Sequence, residues 1–332
     1  MVKILDCTLR DGGYITDWYF DTCSMKKIVN SLTESGVDYI ECGSINPNAT
    51  EKDKAVFSDI EQISELIPDN RGNTVYLAMA DCAQILAGEI TPHSGRSIDG
   101  IRVVFYKHQI QEAMELCRSV RENGYLLLVQ PMVTIDYSFT EYAALIREIE
   151  KLSPYAVSIV DSFGYMNKQD FRRYFAMLDG SLDNDTIVGF HSHNNMQLAF
   201  VTAQDVLDYE TERERIIDAS LLGIGRGAGN LNLELIANYC NLIYGERYDV
   251  STILSTAGSE IMPIREKREW GYSPYLFLTG KYRCHPNFAC FLLENHDVTV
   301  KEFEEFVRFI PDEMRTKCRR PYVEELYQKF IG

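Results

Sequence analysis

Eight times along the first ~245 residues, a short run of Val, Ile, Leu and Tyr gives way to an amphipathic stretch. The strand-like runs are Val2–Asp6, Val37–Cys42, Thr74–Met79, Gly100–Phe105, Tyr125–Gln130, Ala156–Asp161, Thr186–Phe190 and Ile216–Leu221. They are nearly continuous in apolar residues rather than alternating, as strands buried on both faces of a parallel sheet must be. Between them fall helix-like segments at Ser24–Ser35, Lys52–Leu66, Gln109–Asn123, Phe139–Lys151, Lys168–Leu178 and Asn195–Leu207. In Thr140–Lys151, Tyr142, Leu145, Ile146 and Ile149 share one face at the 3.6-residue period. Eight such repeats predict a (β/α)8 TIM barrel; a doubly wound open sheet has the same local grammar and is the structural competitor. After about Tyr248 the strand rhythm stops. Helix-like runs Ser251–Glu260, Val300–Phe309 and Tyr322–Phe330 and an aromatic stretch Trp270–Phe291 follow. The expected division is a barrel domain over 1–247 and a small helical C-terminal extension, 248–332, packing on it.

Composition narrows the partners. With 33 Lys+Arg against 49 Asp+Glu, the formal charge is −16 over 332 residues. That field repels phosphate backbones and anionic lipid, so neither nucleic acid nor a membrane surface is an expected partner. No apolar run approaches the ~18 residues that span a bilayer. Met1–Asp6 leads straight into a strand with no apolar h-region, which predicts no signal peptide. The nine cysteines are odd in number, scattered and without a CxxC pair. The expectation is a reduced, cytoplasmic protein.

Three clusters carry chemistry, each after a strand. His191-Ser192-His193 follows Thr186–Phe190, so two imidazoles project from one face at the end where barrels place their sites. At that spacing they suit adjacent positions on one divalent cation; the same pair also reads as polar loop histidines. Arg10-Asp11-Gly12 follows the first strand, separated from the histidine strand in a closed barrel only by the last strand. Asp11 is a hard oxygen ligand and Arg10 a fixed cation for a developing oxyanion, or the two form a local ion pair. Gly223–Asn230 follows the last strand and imitates a dinucleotide fingerprint at the wrong place in the chain. Asn230 reads as the N-cap of a helix over Leu231–Leu242, or as a side chain reaching a metal. Glu41, at a strand end, is a sensible partner for Arg10, and Ser162 a donor to a substrate carboxylate.

Taken together, Thr8-Leu9-Arg10-Asp11-Gly12, Glu41, His191-x-His193-Asn194 and Gly223–Asn230 resemble, in order and spacing, the DRE-TIM metallolyases. The 4-hydroxy-2-oxovalerate aldolase-like branch is most similar, sharing Asp161-Ser162 after the sixth strand. The resemblance covers roughly residues 1 to 245. Gly271–Pro286 looks like the extension of the same branch.

That likeness implies Mn²⁺ or Mg²⁺ held by Asp11, His191 and His193, with Asn230 at the position of a fourth ligand in hydroxymethylglutaryl lyases. It implies a class II aldolase or lyase joining or cleaving a pyruvate-type 2-oxo acid enolate and an aldehyde, with Arg10 stabilising the enolate. An acyl-CoA-dependent Claisen-type synthase or lyase shares the metal triad and is the first alternative. A non-catalytic partner subunit of an aldehyde dehydrogenase is the second. A homodimer and an aldehyde dehydrogenase partner are further expectations. One departure stands out: where related aldolases carry a histidine three residues after the metal Asp, this chain has Tyr14. The catalytic base is therefore open among Tyr14, Tyr272, Tyr275, His285 and a metal-bound water, and the aldehyde half is expected to differ.

Overall fold

In the computed structural model, which describes residues 1–316 and 318–332, the eight apolar runs close into a barrel. The strands are β1 (Val2–Asp6), β2 (Tyr39–Ile45), β3 (Val75–Asp81), β4 (Gly100–Phe105), β5 (Leu126–Pro131), β6 (Ala156–Asp161), β7 (Ile187–Ser192) and β8 (Arg215–Ala219). All pairings are parallel, in the order β1-β8-β7-β6-β5-β4-β3-β2, and Leu5↔Tyr39 with Asp6↔Ile40 close the ring. The open-sheet competitor is thereby excluded.

Helices α1 (Thr22–Glu34), α2 (Ile110–Glu122), α3 (Phe139–Glu150), α4 (Lys168–Asp179), α5 (Ala199–Asp208) and α6 (Leu233–Tyr244) surround the sheet. The periodicity argument holds residue by residue in α3, which buries Tyr142, Leu145, Ile146 and Ile149. It starts at a capping box in which Ser138 and Glu141 each accept the other's backbone N–H.

Two expectations are corrected. Lys52–Leu66 is no α-helix: Val56–Phe57 pairs with Ser44 and Ile45 as a two-residue strand, and Ile60–Leu66 is a 3-10 helix begun by the Asp59 side chain. Val56 and Phe57 prefer a pleated edge, and β2 offers them one. Nor does Glu41 end its strand. β2 continues to Ile45 past a register shift between Glu41 and Ser44, where Gly43 adopts φ 147°.

The barrel interior is layered. Leu5, Tyr39, Leu77, Leu128, Ala156, Ile187 and Ile216 fill the end nearest the strand N-termini. One layer up, the inward positions on β2, β4, β5, β6 and β8 become Glu41, Arg102, Gln130, Ser158 and Asp218, all buried. An apolar floor therefore carries a polar layer, and the site stands on it.

Beyond the barrel, α7 (Val250–Thr256) runs on through a π-turn to Arg265, and Ile253, Ala257, Ile261 and Trp270 join the main core. Helices α8 (Pro274–Lys281), α9 (Asn287–Asn295), α10 (Val300–Phe309) and α11 (Arg320–Ile331) form a second core around Phe288, Phe303, Phe306 and Val323. This bundle touches the barrel mouth directly: the buried Asn195 amide donates to Thr279 Oγ1 at 3.2 Å. Among the described residues no helix is long and apolar enough to cross a membrane, and all nine cysteines are free.

Candidate metal centre

A single turn of helix, Thr8–Asp11, follows β1 and turns Arg10 and Asp11 into the barrel, where they are 4% and 1% exposed. The turn is held by Thr8, whose N–H and hydroxyl both donate to Asp6 and whose oxygen accepts the Leu221 N–H. Burial pushes the Asp6 carboxyl up to about 7 against those bonds. Arg10 spends Nε on Glu41 Oε2 at 2.7 Å and Nη1 on Asp11 Oδ1 at 2.6 Å. The expected pairing with Glu41 and the local pair with Asp11 both exist. Its remaining Nη2 is buried without a partner, a donor whose desolvation is unrepaid within the protein.

The two histidines are oriented from behind. Asp218 Oδ2 accepts from His191 Nδ1 at 3.0 Å, and the Asp161 carbonyl, which can only accept, lies 3.2 Å from His193 Nδ1. Each Nδ1 therefore carries a proton, so in the neutral ring the lone pair lies on Nε2, the arrangement a metal-binding imidazole needs. His193 Nε2 is buried with no hydrogen-bond partner, 3.4 Å from Asp11 Oδ2. Ligand atoms of Asp11, His191 and His193 all lie within 4.8 Å of one another. Burial draws His191 below its ordinary range and so keeps it neutral. Burial pushes Asp11 the other way, but the Arg10 guanidinium beside it outweighs that and holds the carboxylate well below its usual range.

Asn230 joins this group rather than capping a helix. The helix begins at Leu233 behind Asn232, whose side chain makes no cap. Asn230 instead bridges to His193 across the backbone, donates Nδ2 to Asp11 Oδ2 at 2.5 Å and to the Ile224 carbonyl at 2.9 Å, and leaves Oδ1 buried without a partner. A long-range carboxylate has won over local capping. Gly225 makes the approach feasible, since a Cβ there would strike Asn230 Nδ2 and Asp11 Oδ2. Three orphaned polar atoms (Arg10 Nη2, His193 Nε2 and Asn230 Oδ1) and a compact Asp/His/His donor set fit a divalent cation and an oxygen-bearing ligand.

The other named residues ring this centre. Ser162 is buried at the end of β6, and its Oγ accepts the Val133 N–H at 2.8 Å, with no donor bond among the described residues. Tyr14 lies at the rim, 38% exposed, edge-on to Trp18. Burial raises its phenol above the ordinary value, opposed by Arg226 and Arg10, so lowering of the tyrosine by its surroundings is not what the protein alone produces. His285 reaches the mouth from the extension, 5.2 Å from the Phe163 ring. Tyr275 does not contribute, because its hydroxyl donates to the Val298 carbonyl inside the extension.

Sequence reasoning missed the support beneath the centre. Arg102 of β4, wholly buried, contacts Asp218 and lies 3.2 Å from Glu41 Oε1 and 2.6 Å from Gln130 Oε1. A charge alternation Asp11–Arg10–Glu41–Arg102–Asp218–His191 thus crosses the barrel. Its signal was present: an Arg in Gly100–Phe105 and an Asp in Arg215–Ala219 are charges inside apolar strands, costly to bury unless paired.

A family model described as HMGL-like matches residues 1–257. The oxaloacetate decarboxylase of Mycobacterium tuberculosis is 26% identical over 281 residues, covering 82% of this chain and 80% of that protein. The 4-hydroxy-2-oxovalerate aldolase of Thermomicrobium roseum is 30% identical over 273 residues, covering 79% and 73%. Among solved structures, the N-terminal domain of a putative aldolase from Bacteroides vulgatus superposes with a TM-score of 0.75 at 23% identity, covering 91% of this chain and 99% of that one.

Proposed function

The chain belongs to the HMGL-like family, and from that premise we propose that it is a metal-dependent carbon–carbon lyase of the aldolase type. It would cleave or form the bond between a pyruvate-type 2-oxo acid and an aldehyde. The observation that carries this reading is the unpartnered Arg10 Nη2 beside the converging Asp11, His191 and His193.

Asp11, His191 and His193 are assigned as ligands, with Asn230 Oδ1 as a fourth. Their mixed N/O set suits Mn²⁺, with Mg²⁺ the harder alternative. Such an ion would supply Lewis-acid polarisation of the keto oxygen. The chain's own residues do the rest. Arg10 donates Nη2–H to the oxygen on which charge accumulates as the carbon–carbon bond breaks. Glu41 and Asp11 fix the guanidinium so that this donor needs no reorganisation. Ser162 donates to the substrate carboxylate. Tyr14, kept protonated by burial, is the hydrogen-bond partner of the aldehyde oxygen. The barrel, 1–247, carries the chemistry, and the extension, 248–332, covers its mouth.

A 2-oxo diacid losing CO₂ would pass through the same enolate, and the decarboxylase relative favours this as the second reading. The test is exchange of pyruvate methyl protons with deuterated solvent, together with bound manganese. The His191→Ala, His193→Ala double variant should lose both; unaltered exchange would refute the mechanism. Comparing release of CO₂ from oxaloacetate with release of aldehyde from a 4-hydroxy-2-oxo acid separates the two readings.

A further inference from the structure

Arg226 stands one residue beyond Gly225, whose backbone is packed on Asp11 and Asn230. With consecutive Cα atoms about 3.8 Å apart, its backbone is therefore next to the centre. Three buried barrel arginines contrast with Arg226: Arg10 and Arg102 each pair with two carboxylates, and Arg213 holds four backbone carbonyls and Asp179. Among the described residues the Arg226 guanidinium makes no hydrogen bond and no ion pair, although the backbone carbonyl accepts the Gly229 N–H at 3.0 Å. The side chain lies over the Tyr14 ring, whose centroid is 3.8 Å from the guanidinium carbon. Burial and Arg10 oppose its charge, whereas Tyr14, Tyr106 and Asp11 favour it, and Asp81 also feels it; none of these carboxylates forms an ion pair with it. Stacking engages the face of the guanidinium and leaves the N–H fork unsatisfied. That fork is shaped for a bidentate oxyanion.

Position says which part of a ligand it meets. Arg10 and Asp11 are 4% and 1% exposed, whereas Tyr14 is 38% exposed, so the Tyr14–Arg226 stack lies outward of the reacting centre. Also facing this stack is Asp81, whose carboxylate is engaged by the Ala83 N–H at 2.9 Å. His285 lies across the mouth, its Nδ1 accepting the Asn287 N–H at 3.1 Å and its Nε2 therefore protonated. Gly227 abuts Pro286, so the extension braces the Arg226 loop.

We infer that Arg226, carried on the Tyr14 ring, receives a carboxylate or phosphate borne by the aldehyde-derived half of the substrate. This rests on the aldolase reading above and names its substrate class. The test uses the manganese-loaded full chain with pyruvate and paired aldehydes: glyceraldehyde 3-phosphate against glyceraldehyde, and succinic semialdehyde against butanal. At least one anionic member should exceed its neutral partner tenfold or more in kcat/KM, and which pair responds distinguishes phosphate from carboxylate. Arg226→Met should bring that ratio to within twofold of one, while Arg226→Lys retains part of it. In metal-free protein, calorimetry should show glycerol 3-phosphate or 4-hydroxybutyrate binding at least tenfold more weakly to Arg226→Met than to the natural chain. Pyruvate exchange by the natural chain without preference for either anionic aldehyde would overturn this inference and leave the aldolase reading intact. A raised pyruvate KM in Arg226→Met with an unchanged aldehyde ratio would overturn it too. Absence of exchange by the natural chain would bring down the aldolase reading first, and this inference with it.

Discussion

Replacing Asp218 with asparagine probes the layer beneath the centre, and two separable losses are expected. The carboxylate accepts from His191 Nδ1 and contacts Arg102. Among the charged members of the ladder, Arg10 and Arg102 face Asp11, Glu41 and Asp218, a balance of 2 − 3 = −1. Asp218→Asn takes that balance to zero and leaves His191 held by a neutral acceptor. Loss of such a supporting carboxylate costs 10–100-fold in metal affinity, about 1.4–2.7 kcal/mol. Folding suffers separately, because Arg102 keeps only Glu41 at 3.2 Å and Gln130 at 2.6 Å. Stripping one partner from a buried pair costs about 3–5 kcal/mol, and the surviving contacts put the expectation toward the lower end. Manganese titration calorimetry reads the first loss and urea unfolding of chelator-treated protein the second. Adding Arg102→Met should recover part of the stability but none of the affinity. An Asp218→Asn protein that binds manganese within twofold of the natural chain would refute the claim that this carboxylate orients a ligand.

Arg10→Lys is expected to lower the pyruvate exchange rate by about 10²–10³, because an ammonium cannot hold Glu41 and Asp11 and still present a fixed third donor; a loss under fivefold would contradict the role given to Nη2. Gly225→Ala should weaken manganese binding tenfold or more at nearly unchanged unfolding midpoint, since its Cβ meets Asp11 and Asn230 rather than the core. In chelator-treated protein a pH titration of the His191 ring by NMR should show its midpoint below the ordinary histidine value, because burial disfavours its charged form more than Asp218 favours it. A midpoint at or above the ordinary value would refute that electrostatic picture.

The barrel strands were legible because burial on both faces leaves runs such as Ile101–Phe105 with almost no polar interruption. The interruptions were the informative residues. Arg102 is 116 positions from Asp218, and only closure of the ring brings them together. Arg10 with Glu41 could be matched in advance because one follows β1 and the other lies on β2, its neighbour across the closing seam. Asn230 was harder: near a helix start its local chemistry says cap, while the partner it takes, Asp11, is 219 residues away. Lys52–Leu66 misled because its apolar spacing suits a helix, whereas the deciding fact is the open edge of β2 beside Val56 and Phe57.

The transverse run of alternating charge joins β1, β2 and β4 to β8 and the end of β7. Neither half of the molecule therefore completes the run: an amino-terminal piece would hold Arg102 with Glu41 but without Asp218, and a carboxy-terminal piece would hold Asp218 with no arginine to face it. Splitting, permuting or duplicating this scaffold between those strands would leave stranded ions where a sealed ring has none. Competence for chemistry should thus arrive with the last hydrogen-bonded seam, as one cooperative event rather than by assembly of independent parts.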